Sequence, residues 1–198
     1  MSRAGKACGM MPHAAACRAE RSTHRSWRVM NRAANPQEKV EPMRLALFQP
    51  DIPQNTGTIL RLAACLDVPV DVIEPCGFPF SDKGFRRAGL DYLELVQLTT
   101  HLNWHAFMAA SKQQNRRLIL LSTKAERLYT EIDYAPSDVL MVGRESSGVP
   151  DAVHRDADLR IRIPIKAPAR SLNVALAAAM VLSEGLRQTG AFPSDPRP

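Results

Sequence analysis

Ile161-Arg-Ile-Pro-Ile-Lys-Ala-Pro-Ala-Arg-Ser-Leu-Asn-Val-Ala-Leu-Ala-Ala-Ala-Met-Val-Leu-Ser-Glu-Gly-Leu-Arg-Gln188 decides the fold of this 198-residue chain. It reads as a strand, a proline-rich loop and a long helix. From 172 to 182 the helix is apolar on every side apart from Asn173. A helix without a polar face is expected to be buried all round, in a large core or against another chain. A domain of about 155 residues has little room to bury one fully, so the helix points to a subunit interface. Arg170, Ser171 and Asn173 gather at its mouth, with Ser171 as a plausible N-cap. Polar groups gathered there mark a site.

Upstream, strands alternate with helices. Arg44-Leu-Ala-Leu-Phe-Gln49 reads as a buried strand, and Pro50-Asp-Ile-Pro-Gln-Asn-Thr-Gly57 as a loop. Asn55 reads as the N-cap of a helix reaching Leu66, with the apolar stripe Ile59, Leu62, Ala63 and Leu66. Arg61 falls on the other side of that helix. Further strands are expected at 70–74, 93–98, 117–122, 138–142 and 159–165, a helix over 101–114 and a short one ending near Arg155. An irregular segment, 75–92, carries Lys83, Arg86 and Arg87. The pattern predicts an α/β domain with a mainly parallel sheet and helices on both faces. Ligands of such sheets bind beyond the carboxyl ends of the strands. Three loops with suggestive chemistry leave those ends: Ser122-Thr-Lys124, 143–150 and 164–171.

The net charge of +6 is unevenly spread. Residues 1–42 hold eight Lys/Arg against three Glu, and the rest holds eighteen Lys/Arg against seventeen Asp/Glu. The basic extension has little apolar periodicity and reads as disordered. It fits a nucleic-acid arm, a transit-like peptide or a start placed too early, since Met43 directly precedes the first strand. The domain is expected over 43–190, with a tail at 191–198. Cys8, Cys17, Cys65 and Cys76 show no C-x-x-C pairing and no ligand spacing with His. A metal site and a disulfide framework are therefore not expected, and reduced thiols in the cytoplasm are. No apolar run is long enough to span a membrane.

Each motif alone has an ordinary reading. Gly143-Arg-Glu-Ser-Ser-Gly148 is not a P-loop, because Val149-Pro150 stands where Lys-Ser/Thr belongs. By itself it is a tight turn, or a place where Gly143 lets a ligand approach the backbone. Lys83, Arg86 and Arg87 alone are a solvated face or three phosphate contacts. His101, His105 and His154 show no partner spacing and read as surface residues. The order carries more weight: Asn55-x5-Arg61 after the first strand, Gly143-x-Glu-x-x-Gly-x-Pro150 after the fifth, Arg170-Ser-Leu-Asn173 after the sixth. With Asp82-Lys83 and Arg86-Arg87-Ala-Gly-Leu-Asp-Tyr92, this set resembles the SPOUT RNA methyltransferases. Within them it is most similar to the TrmL-type tRNA 2′-O-methyltransferases acting on a wobble cytidine or uridine. The similarity spans 43–190.

The resemblance implies a fold that composition does not: a C-terminal trefoil knot, against the general rule for chain paths. It implies a homodimer, S-adenosylmethionine as cofactor and tRNA as substrate. Leu121, Gly143, Ile163 and Ser171 would hold the cofactor, with Glu145, Pro164 and Leu172 nearby. Arg61 would handle the ribose hydroxyl, supported by Asn55, Glu145, Arg170 and Asn173. Lys83, Arg86 and Arg87 would meet the tRNA backbone. The chain departs from the pattern in three places. Gly-Pro-Glu-Thr-Arg-Gly is Gly143-Arg-Glu-Ser-Ser-Gly148, a late-helix Tyr is Ser183, and a hydroxyl is lost at Ala175. The same motifs would also serve another tRNA or rRNA position, or a dimeric RNA-binding protein without catalysis.

Overall fold

The computed structural model describes residues 41–79 and 93–194; the basic extension, the segment with Lys83, Arg86 and Arg87, and the last four residues lie outside them. The described chain runs β1 (Arg44–Phe48), α1 (Pro53–Cys65), β2 (Val70–Ile73), a 3-10 turn (Leu93–Leu95), β3 (Leu98–His101), α2 (Trp104–Gln113) and β4 (Leu118–Leu121). It continues through β5 (Arg127–Leu128), β6 (Val139–Val142), α3 (Asp151–Asp156), β7 (Leu159–Arg162) and α4 (Val174–Thr189). The strands form one seven-stranded sheet in the order β3-β2-β1-β6-β4-β7-β5. Every pairing is parallel, so all the strands end on one edge and their following loops meet there.

Alternation along the strands assigns the two faces. Leu45, Leu47, Val70, Val72, Ile119, Leu140 and Ile161 share one core with Ile59, Leu60 and Ala63 of α1 and Ala175, Ala178 and Leu182 of α4. Ala46, Phe48, Leu120 and Met141 face the other way, against Phe107 of α2 and Val153 of α3. Runs such as 118–121 are apolar at every position because both faces are covered. Beneath α2 lies a charged cluster: Asp71 accepts from Arg44 Nε (2.5 Å) and Nη2 (2.9 Å) and pairs with His101 Nε2 (2.8 Å). His101 is thus a partly buried partner of Asp71 and not the surface residue expected.

Several boundaries differ from those expected, each for a local reason. α1 begins at Pro53 behind Ile52, which makes no side-chain cap bond; proline's fixed φ suits the first turn. Asn55 lies inside the helix, its side chain committed to Glu145 and Asn173. Asn173, not Ser171, caps α4, its Oδ1 accepting from the Ala175 (2.9 Å) and Leu176 (3.4 Å) amides. The strand expected at 93–98 is a 3-10 turn followed by β3, and α2 starts later because Asn103 Oδ1 accepts from Ala106 N. The two-residue β5 is too short to show a period. Finally, α4 is not buried on all sides: Leu176 is 61% exposed, and Leu172 and Met180 are each 40% exposed. Among the described residues no helix is long and apolar enough to cross a membrane.

Candidate functional site

Four loops converge at the carboxyl edge, after β1, β4, β6 and β7. The last three enclose a cavity of about 410 Å³, within the usual range for small-molecule sites. Leu121, Gly143, Glu145, Ile163, Arg170 and Ser171 all line it. Six of the residues expected from sequence therefore meet round one space. Leu121, Ile163 and the neighbouring Val142 and Leu172 make apolar walls, and Lys124, Arg144 and Arg170 add positive charge. Burial leaves Arg144 Nε and His154 Nε2 without a hydrogen-bond partner, and both residues line the cavity. Unpartnered buried nitrogens call for an explanation, and a polar ligand in the cavity would supply one.

The loop after β6 is a tight return. Arg144 N donates to Gly148 O (3.0 Å) and Gly148 N to Arg144 O (2.9 Å). Gly148 has φ of 69°, a conformation glycine adopts without strain. At Gly143 a Cβ would lie 2.7 Å from the Gly148 carbonyl carbon and 2.9 Å from Val149 Cγ1. The glycine is thus required by the loop's own tight return, the first of the two readings the sequence allows.

Asn55 and Asn173 are not among the lining residues; they extend the site outward from Glu145. Asn55 Nδ2 donates to Glu145 Oε1 (3.1 Å), and Asn173 Nδ2 donates to Asn55 Oδ1 (2.9 Å). A polar rail therefore runs from the cavity to the N-terminus of α4. Asp51 was missed in sequence, although its place just past β1 was a usable signal. Its Oδ1 accepts from Glu145 N (3.0 Å), and its Oδ2 from Ser146 N (3.3 Å) and from the Ser146 hydroxyl. The hydrogen bond with the Glu145 carboxyl, opposed by burial and helped by the Ser146 hydroxyl and the two amides, holds Asp51 down at about 2. Burial, then the Asp51 carboxylate, pushes Glu145 up.

Arg61 is exposed on α1 and is not among the residues lining this cavity. Lys83, Arg86 and Arg87 lie outside the described residues.

The family model described as SpoU rRNA Methylase matches residues 42–183. A tRNA (cytidine(34)-2′-O)-methyltransferase of Beijerinckia indica is 60% identical over 148 residues, 75% of this chain and 92% of that protein. A structure solved in work on 2-OH methylation of C/U34 on tRNA superposes with a TM-score of 0.70 at 37% identity, covering 75% of this chain and 97% of that one. An AdoMet-bound rRNA methyltransferase of Sinorhizobium meliloti gives 0.67 at 27% identity, covering 74% and 56%.

Proposed function

The chain belongs to the SpoU rRNA methylase family, and we propose that it transfers a methyl group from S-adenosylmethionine to the 2′-hydroxyl of nucleotide 34, cytidine or uridine, in tRNA. The observation that carries this reading is the meeting of three motif loops round one 410 Å³ cavity with the polar rail at its rim. The cavity suits the cofactor. Leu121 and Ile163 would flank the adenine, backbone at Gly143 and Ser171 would read its edge, and Lys124 and Arg170 would meet its carboxylate. When bound, the cofactor supplies an electrophilic methyl group whose transfer discharges a sulfonium.

The residues of the chain then have three tasks. The ribose hydroxyl must be held in line with the methyl group, because displacement needs alignment. Its proton must leave. The developing alkoxide must be stabilised. Arg61 takes the last task and orients the ribose; a guanidinium stays protonated and is not a general base. Asn55, Glu145 and Asn173 fix the approach to the site. Lys83, Arg86 and Arg87 serve as tRNA phosphate contacts.

The active species is a homodimer. The exposed Leu176 and Met180 of α4 mark the face we assign to the partner copy. Helix α1, which packs against α4, presents Arg61 on the outside. We assign Arg61 to the cavity of the partner, since it does not line its own. The trefoil path of the C-terminal segment and a cytoplasmic location complete the reading.

Incubation with unmodified tRNA and radiolabelled S-adenosylmethionine, followed by nuclease mapping, tests it. Label on the ribose of nucleotide 34 is expected. Label on rRNA or elsewhere in tRNA would overturn the substrate, and absence of cofactor binding would overturn the reaction.

A further inference from the structure

The Asp51 side chain is not among the groups lining the cavity, yet it holds the loop after β6 from outside it. The loop's end amides, at Arg144 and Gly148, are satisfied by each other. Those of Glu145 and Ser146 are left over, and Asp51 accepts both, together with the Ser146 hydroxyl. The clasp is reciprocal: Asp51 N donates to Glu145 Oε2 (3.3 Å). With one carboxyl oxygen so engaged, Glu145 turns the other to Asn55 (3.1 Å). Asp51 is in turn held from behind. Gly77 N donates to Pro50 O (2.9 Å), and a Cβ at Gly77 would sit 2.8 Å from Asp51 Cα. One residue earlier, Gln49 Oε1 accepts from Arg144 Nη2 (2.5 Å). The β1 loop therefore grips the β6 loop at three consecutive residues: Arg144, Glu145 and Ser146.

We propose that Asp51 is the positioning residue of the cofactor loop, setting the shape of the turn from Gly143 to Gly148 and the orientation of Glu145 from outside the cavity. The proposal rests on reading the cavity as the S-adenosylmethionine site. A carboxylate suits this place, because three donors of the loop point at it: the Glu145 and Ser146 amides and the Ser146 hydroxyl. Asparagine has the same shape but presents an NH₂ to one of them, leaving a donor unpaired.

Calorimetry with S-adenosylmethionine on the full-length protein tests this, comparing the wild type, Asp51→Asn and Asp71→Asn. Asp71 belongs to the charged cluster on the opposite face, so its replacement loosens the fold without touching the loop. Asp51→Asn is expected to weaken the cofactor about tenfold, with Asp71→Asn within about twofold of wild type. Amide exchange should also quicken at 145 and 146 in Asp51→Asn. Unchanged affinity in Asp51→Asn, equal weakening in Asp71→Asn, or unchanged exchange would overturn the proposal. A wild type that binds no cofactor would instead overturn the reading of the cavity, and this proposal with it.

Discussion

The cavity wall and the outer face of α1 and α4 are built differently. The wall is closed within one chain. The loop at 143–148 closes on itself, the apolar walls continue the sheet core, and Asp51 braces the loop from behind. The outer face is left open: Leu176 is 61% exposed, and Arg61 points outward from the neighbouring helix. On the proposed reading this difference separates two tasks, with the cofactor held within one chain and the hydroxyl handled between two.

The comparison breaks most readily at Gly143. Gly143→Val places side-chain atoms where Gly148 and Val149 already stand. Cofactor affinity should fall about 100-fold, the upper end of an overpacking cost, as calorimetry would read. Binding close to wild type would show that the wall is more pliable than its contacts imply. Arg61→Ala probes the other region: methyl transfer should fall about 100-fold or more, as for loss of one charge-stabilising donor, while cofactor affinity stays within about twofold. Equal loss of both would merge the two regions.

Leu176→Glu sharpens the contrast at the open face. A carboxylate placed in an apolar contact is costly to desolvate, so sedimentation should show monomers at concentrations where the wild type is a dimer. Activity should fall at least about tenfold, with cofactor binding retained. A variant that stays dimeric would place the subunit contact elsewhere.

The smallest effect is in pH. The Asp51 carboxyl is lowered from 3.8 to about 2, so its contribution to stability is fully present above its ordinary value and is lost as pH falls toward about 2. Glu145 is raised, so its contribution has the opposite sign: present at low pH and lost as pH rises through its elevated value. Acid unfolding of Asp51→Asn should lack the part of the transition between pH 4 and 2 that the wild type shows. Superimposable acid transitions would remove the carboxylate from the clasp.

Much of this was legible in the sequence, for physical reasons. Alternating strand and helix periods, with strands apolar on both faces, point to a parallel sheet, and the family resemblance implies the cavity residues Leu121, Gly143, Ile163 and Ser171. What escaped was decided by competition for side chains. Asn55 looks like a cap but is taken by Glu145 and Asn173. Ser171 loses the cap of α4 to Asn173, whose amide oxygen reaches two helix amides. His101 has no partner in its own neighbourhood of sequence, since Asp71 lies on the adjacent strand. Asp51 shows no spacing signal because its partners are more than ninety residues away. The apolar helix points from sequence to a subunit interface, and Leu176 and Met180 are the residues of it that a single chain leaves exposed.

The most direct test of the two-chain claim is subunit complementation. Gly143→Val chains keep Arg61 but lack a working cofactor cavity, and Arg61→Ala chains keep the cavity but lack the arginine. Co-refolded in equal amounts, the two should regain about a quarter of wild-type methyl transfer, because half of the dimers are mixed and each has one complete site. If the mixture stays as inactive as its parents while mixed dimers are present, Arg61 serves its own cavity and the account of a site shared between chains is wrong.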